Sequence, residues 1–325
     1  MKAIVTGVSG QDGYYMTKLL AQRGQSVLGL TSNLAGAEAQ FARQPVAGLT
    51  LAAFDYSLPG EFSRVLDEYQ PDLVFNFAAK ATGRGMFDSP HEMGRLNGAF
   101  VVDILEALRH SRRRTQISFC QSSSSEMFGN VLETPQSETT AFHPKSPYGA
   151  AKLYAHHMIG IYRTTYDLRC CSAILYNHES IRRSTQFVTR KIARSAVSIK
   201  LGLADQLPLG SLDICRDWGY APEYVQAMYL MASAVRPADY VIATGRLNSV
   251  RRLCELAFGH VGLDYRQFVR EDADARRAVE SVNLLGDPGK IRRELGWSAE
   301  VGIEAIMVEL VDHEMSLLAP AAPHP

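Results

Sequence analysis

A β-branched run at Lys2–Thr6 gives way at once to Gly7, Gly10 and Gly13, after which apolar residues recur at helical spacing through Met16, Leu19 and Leu20 to Gly24. That order of strand, tight turn and helix leaves the chain little choice of architecture. The rhythm repeats: Ser26 to Leu30, Leu49 to Phe54, Asp72 to Asn76, Thr115 to Gln121 and Arg169 to Leu175 read as strands, with helical stretches such as Glu61–Tyr69 and Val101–Arg109 between them. Strands joined through helices run parallel, so the expected fold is α/β, a doubly wound parallel sheet of the Rossmann kind. After about Tyr176 the alternation loosens, with loops expected around Gln206–Asp213 and Val269–Asp287. The expected division is residues 1–175 as the sheet domain, with about 214–245 as a candidate to rejoin it, and 176–325 as a smaller C-terminal domain.

Glycines between a strand and a helix let backbone N–H groups face a pyrophosphate at the positive end of the helix dipole. Residues 1–175 therefore read as dinucleotide-binding and 176–325 mainly as a substrate-binding cap. A stray loop triplet would not need the strand before it and the helix after it. The second strand ends Gly29-Leu30-Thr31-Ser32-Asn33, without the acidic residue that suits a ribose 2′-hydroxyl or the arginine that suits a 2′-phosphate. Ser32 and Asn33 can hydrogen-bond either. Asp55, past the third strand, reads as an adenine partner or as a turn cap.

Ser146-Pro147-Tyr148 starts a helix at its proline and sets Tyr148 and Lys152 four residues apart on one face. A phenol titrates near about 10, but a nearby ammonium and an oxidised nicotinamide both favour the phenolate, so the pair is expected to act as a base. Tyr14-x-x-x-Lys18 has the same spacing but sits in the first helix, where a nicotinamide would not lie. Position in the fold decides between them. At the end of the fifth strand, period-two alternation sets Ser122, Ser124 and Glu126 on one side, provided extended geometry persists. The carboxyl end of such a strand is where open α/β sheets bind ligands.

Lys+Arg and Asp+Glu both number 34, so nothing global draws the chain to nucleic acid, and an anionic partner must be gripped locally. No apolar run approaches the roughly 18 residues of a membrane span, and glycines stand where a signal peptide would be apolar. A cytoplasmic chain without membrane or nucleic-acid partners is expected. The five cysteines are odd in number and lack C-x-x-C spacing, which reads as buried thiols. Arg112-Arg113-Arg114 reads as a solvated helix end, Trp218 as core, and His156-His157 as lacking metal-ligand spacing, so no metal is expected.

Together with the strings VTGVSGQDGYY, QSSSSEMFG, SPYGAAKLYAHH, NHESIRRSTQFVTRKI, LGSLDICRDWGYAPEYVQAMYLM and LLGDPGKIRRELGW, these residues resemble the extended short-chain dehydrogenase/reductase superfamily. Within it, the chain resembles the GDP-mannose 4,6-dehydratases over nearly its whole length. The resemblance implies dehydration of a GDP-hexose, GDP-mannose, to GDP-4-keto-6-deoxymannose through a nicotinamide cofactor, NADP with NAD as the alternative. It sets Ser124 where the family has a catalytic threonine, Glu126 as the acid-base carboxylate, and Tyr148 with Lys152 as the oxidoreduction pair. Cofactor contacts implied beside Gly7, Gly10, Gly13, Ser32, Asn33 and Asp55 are Gln11, Asp12, Ala78, Ala79, Tyr148, Lys152, His178 and Arg183. Nucleotide-sugar contacts implied are Asn177, Lys191, Arg216, Arg277 and Glu280. A nucleoside diphosphate carries about two negative charges, which Lys191, Arg216 and Arg277 can neutralise.

Two positions depart from the family's wording. Its paired arginines after the second strand, which grip the NADP phosphate and help join subunits into a tetramer, are replaced by Ser32-Asn33. Its threonine becomes Ser124, which keeps the hydroxyl but loses a methyl that restricts the rotamer. A homodimer through helices at 91–110 and 147–164 is implied, and a tetramer is left open. A nucleotide-sugar 4-epimerase or a 4-keto-6-deoxy-sugar reductase would share Tyr148 and Lys152 without needing Glu126. A non-enzymatic dinucleotide-sensing protein would need none of the four.

Overall fold

The computed structural model describes residues 1–80, 87, 89–272 and 283–319. In chain order the first half gives β1 (Lys2–Thr6), α1 (Gln11–Gln22), β2 (Ser26–Thr31), α2 (Leu34–Arg43), β3 (Leu49–Ala53), α3 (Glu61–Tyr69) and β4 (Leu73–Asn76). Then come α4 (Pro90–Gly94), α5 (Phe100–His110), β5 (Ser118–Ser124), α6 (Pro147–Tyr166) and β6 (Arg169–Leu175). The second half gives β7 (Asn177–Glu179), α7 (Val188–Lys200), β8 (Leu207–Leu209), β9 (Cys215–Tyr220), α8 (Ala221–Ser233) and β10 (Tyr240–Ile242). It closes with β11 (Leu247–Ser249), α9 (Val250–His260), β12 (Val269–Glu271), α10 (Gly289–Leu295) and α11 (Ile303–Leu318).

Seven strands form one wholly parallel sheet in the order β10-β6-β5-β4-β1-β2-β3. Helices cover both faces at the centre of the sheet, which is why β1 and β4 carry continuous apolar runs instead of alternating. Within β1, Ala3 and Val5 pack toward Met16 and Leu20 of α1 and Met228 of α8, whereas Ile4 packs toward Phe62 of α3, Ile104 of α5 and Ile159 of α6. The chain order reverses between β1 and β4, so a crevice opens at their carboxyl ends. There the glycine turn after β1, the segment after β4 and the end of β5 all emerge.

A three-stranded sheet, β11-β9-β7, starts two residues after β6 ends, and a third core of α7, α9 and α11 closes over β8 and Trp218. The loops expected at 206–213 and 269–287 hold the short strands β8 and β12, which pair in parallel. The fifth strand also differs from expectation, running Ser118–Ser124 instead of Thr115–Gln121. The N–H groups of Gln116 and Ile117 bond back to Arg113 O at 2.8 and 3.2 Å, delaying the strand, and pairing with β6 then carries it to Ser124↔Leu175. Arg113 is no solvated helix end: it donates to Asp72 Oδ1 at 2.7 Å and to the Gln70 and Pro71 carbonyls. The cysteines are free thiols, four buried and Cys215 half-buried. No helix among the described residues is long and apolar enough to cross a membrane.

Candidate active site

Gly7 has φ +62°, and a Cβ there would lie 2.8 Å from both Ala78 N and Phe77 C; at Gly13 it would lie 2.3 Å from Gly7 O. These contacts require glycine, because the turn closes on the segment after β4 and on itself. Gly10, at the cap of α1, offers no side chain to the first-turn N–H groups, which leaves them for an anion. Tyr56 steadies the turn by accepting from Gly7 N at 3.1 Å and donating to Leu30 O at 3.0 Å. Burial pushes its phenol up to about 12, so it stays a donor. The cradle fits a dinucleotide pyrophosphate.

Beneath the crevice runs a buried chain of side chains that the sequence reading missed. Thr6 donates to Asn76, Asn76 Nδ2 to Gln121 Oε1 at 2.7 Å, and Gln121 Nε2 to Ser122 O at 2.7 Å. Ala78 N donates to Thr6 Oγ1 at 3.2 Å, fixing the segment that faces Gly7. The fully buried Lys152 reaches the same Ser122 O at 2.7 Å. The available signal was a polar residue at the end of each apolar strand, and register aligns Thr6 with Asn76 and Asn76 with Gln121.

Strand β5 ends extended at Ser124 (φ −148°, ψ 142°), but Ser125–Met127 form a single 3₁₀ turn. The expected alternation therefore stops short of Glu126. Buried Met127 and Phe128 anchor the turn instead, and Ser124 Oγ accepts from Glu126 N at 3.2 Å. Helix α6 starts with Ser146 accepting from Gly149 N at 3.0 Å and Pro147 in the first turn. A Cβ on Gly149 would meet Glu126 O at 2.6 Å, so its absence lets the helix start lie directly against the turn.

Tyr148 consequently faces the Ser124 hydroxyl and feels the charge of Glu126. By accessible surface its side chain is half-buried, yet the phenol is enclosed enough that burial pushes it up to about 12, offset only in part by Ser124 and Arg183. Lys152 Nζ lies 5.8 Å from the Tyr148 ring centroid and points at a carbonyl, and burial pulls its own value down to about 8. Desolvation outweighs the pairing.

The implied cofactor residues take varied posts. His178 Nε2 lies 3.0 Å from each Asp12 oxygen, and its Nδ1 bonds Tyr176 O at 2.7 Å, so both ring nitrogens are engaged within the protein. Gln11 bonds His178 O and Asp12, and accepts from Ser180 Oγ at 2.8 Å. Arg183 lies over the Phe187 ring and 3.4 Å from Glu179. Ser32, which the sequence left able with Asn33 to bond either a 2′-hydroxyl or a 2′-phosphate, is exposed, and the Asn33 oxygen caps α2 by accepting from Gly36 N at 3.0 Å. Asp55 serves as the turn cap, accepting from Ser57 N and Oγ at 2.8 and 2.6 Å. Ala78 is buried and Ala79 half-buried beside the glycine turn.

Asn177 opens β7 and pairs with Trp218, two residues from Arg216 on β9. Arg216 donates to Cys215 O at 2.8 Å, and Lys191, in the first turn of α7, to Pro208 O at 2.6 Å. Arg277 and Glu280 lie outside the described residues. The decoy Tyr14 is stacked on Phe41 in the core, with Lys18 over its ring.

Residues 4–310 match the family model described as GDP-mannose 4,6 dehydratase. GDP-mannose 4,6 dehydratase 1 of Arabidopsis thaliana is 39% identical over 325 residues, covering 97% of this chain and 90% of that protein. Among solved structures, UDP-glucose 4-epimerase of Thermotoga maritima with UDP-glucose aligns at TM-score 0.86 and 22% identity, covering 98% of this chain and 100% of that one. dTDP-glucose 4,6-dehydratase of Bacillus anthracis in complex with NAD aligns at TM-score 0.82 and 18% identity, covering 97% of each. At such identities the two structures establish the fold alone.

Proposed function

Because the chain belongs to the GDP-mannose 4,6-dehydratase family, we propose that it removes water from GDP-mannose to give GDP-4-keto-6-deoxymannose, with Ser124, Glu126, Tyr148 and Lys152 as the working groups. The observation that carries this reading is that the start of α6, with Tyr148 beside Gly149, lies directly against the turn bearing Ser124 and Glu126, and Lys152 Nζ is 5.8 Å from the Tyr148 ring centroid. An oxidoreduction alone needs the phenol and the ammonium; the carboxylate adds the means to eliminate.

When bound, a nicotinamide cofactor supplies a reversible store for the hydride that C4 loses and C6 regains. Tyr148 takes the O4 proton while Ser124 hydrogen-bonds O4, and the Lys152 ammonium favours the phenolate. The 4-ketone so formed acidifies the C5 hydrogen. Glu126 takes that proton, the freed electron pair forms the C5=C6 double bond as the C6–O bond breaks, and Glu126 returns the proton to the C6 hydroxyl as it leaves as water. Tyr148 then gives C5 the proton it took from O4 as C6 regains hydride, so the net change is the loss of one water.

Residues 1–175, joined by α8 and β10, hold the dinucleotide, and the remainder from 176 holds the nucleotide-sugar through Asn177, Lys191 and Arg216. The cofactor is NADP in preference to NAD. A cavity of about 480 Å³ beside the glycine turn is lined by Ser9, Gly36, Gln40, Arg43, Arg182 and His313, with no carboxylate among its described lining residues. Arg182 is seated over the Tyr14 ring and donates to Gln44 at 2.7 Å, so it supports a 2′-phosphate grip in place of residues at 32–33. Exposed Tyr154 and Ile161 on one face of α6 support a homodimer through α5 and α6.

The test is incubation with GDP-mannose and catalytic NADP or NAD, read by mass spectrometry. Loss of one water is expected, with NADP the more effective. An unchanged mass with an inverted C4 would identify an epimerase; a reductase would leave GDP-mannose untouched and instead consume added NADPH stoichiometrically when given the 4-keto-6-deoxy-sugar.

A further inference from the structure

Asp12 stands in the first turn of α1, at the end of the glycine turn, and His178 in the middle of β7, which pairs with β9 through His178↔Gly219. Their side chains are 20% and 9% exposed, and the histidine ring stacks on Tyr224 with centroids 4.8 Å apart. A carbonyl oxygen can only accept, so the 2.7 Å contact with Tyr176 O requires a proton on Nδ1. A neutral imidazole has no second N–H. Its Nε2 would then turn a lone pair toward two carboxylate oxygens, each 3.0 Å away, which is repulsive. The contact needs one more proton.

We propose that Asp12 and His178 form a proton-held clasp, an imidazolium–carboxylate pair that positions the glycine turn against the sheet carrying the nucleotide-sugar residues. The reading rests on that turn binding a dinucleotide. Gln11 reinforces the clasp by donating to His178 O at 3.0 Å and accepting from Ser180 at 2.8 Å, so two successive residues of α1 are tied across the cleft. Both are positioning residues; neither need touch a reacting atom.

The charged and titratable surroundings are consistent with this. Burial alone would lower His178, but Asp12 outweighs it and the ring is held above its ordinary value, against the opposing charge of Arg183. Burial would raise Asp12, but His178 and Arg183 hold it below its ordinary range. Arg183 is itself paired with Glu179 at 3.4 Å, Tyr224 of α8 contributes its ring face, and Lys152 and Tyr148 of α6 feel the Asp12 charge. With His178 raised and Asp12 lowered, the clasp is closed between the two values and opens as pH rises through the histidine's or falls through the aspartate's.

The experiment is nitrogen NMR of the ring in the full chain, with the His178 signals identified by their loss in His178→Leu. At a pH just above the ordinary histidine value of about 6.5, both ring nitrogens should still carry protons in the wild type. In Asp12→Asn the amide can donate to Nε2, so a ring protonated on Nδ1 alone is expected there. A wild-type ring neutral at that pH would overturn the proposal whatever reaction the enzyme catalyses. NADPH binding, followed by fluorescence near neutral pH, should weaken about tenfold to a hundredfold in His178→Leu, as for loss of a charged buried hydrogen bond. Asp12→Asn should retain more of that affinity than His178→Leu. Wild-type affinity in His178→Leu would also overturn the clasp. If His178→Leu does not fold, the wild-type ring signals are found instead by their change in Asp12→Asn, and the ring measurement still decides.

Discussion

On the sheet side of the cleft, Lys152 is fully buried, and the carbonyl it bonds is fixed by a chain of amides running through Gln121 and Asn76 to Thr6. On the opposite side, Lys191 and Arg216 are half-buried and lean on the carbonyls of Pro208 and Cys215, in strands of three and six residues. In the proposed mechanism the first wall fixes direction and the second supplies charge. Proton transfer depends steeply on the placement of donor and acceptor, whereas attraction of a diphosphate falls off slowly with distance and tolerates a mobile partner. Substitutions on the two sides should therefore separate turnover from binding.

The hardest test is Tyr148→Phe, which should cost about 10²–10⁴-fold in turnover and give no reduced-nicotinamide absorbance even in a single turnover. Glu126→Gln should lose dehydrated product by a similar factor yet still show that absorbance. If both fail before hydride leaves, the division of labour between phenol and carboxylate is wrong. Arg216→Ala should raise KM about tenfold to a hundredfold with kcat little changed, the signature of lost uniform binding. A fall in kcat alone would erase the contrast between the walls.

The pH dependence sharpens the sheet side. In the proposed mechanism Lys152 works as the ammonium, which exists below its value of about 8, so kcat/KM should fall as pH rises through that value. The fall should disappear against the lower residual rate of Lys152→Met. The smallest effect concerns the amide chain. Asn76→Ala strands Gln121 and Thr6 without their partner, and urea unfolding should show a loss of about 1–3 kcal/mol. An unchanged midpoint would mean that the chain can be satisfied another way.

Much of this molecule was legible before any coordinates. The strand-to-helix rhythm gave the parallel sheet, because helices joining strands force it, and Gly7 and Gly13 marked a turn where a Cβ would strike backbone. The glycine turn and the Tyr148–Lys152 pair stand out because each is local, a spacing of a few residues within one element. Thr6, Asn76 and Gln121 escaped notice because each is a single polar residue whose meaning depends on strand neighbours 45 and 70 residues away. Ser124 and Glu126 lay between these cases: the residues were visible, but not the turn that ends the alternation, since it is set by where Met127 and Phe128 find a core.

The sequence by itself determined the elements, their order and the chemical inventory, since periodicity, glycine and side-chain type act over a few residues. Tertiary structure alone decided the ionic setting: that Tyr148 and Lys152 are pushed in opposite directions by shared burial, and that Asp12 meets His178 across 166 residues of chain. Desolvation and Coulomb energies depend on what surrounds a charge in space, and no spacing along the chain encodes that.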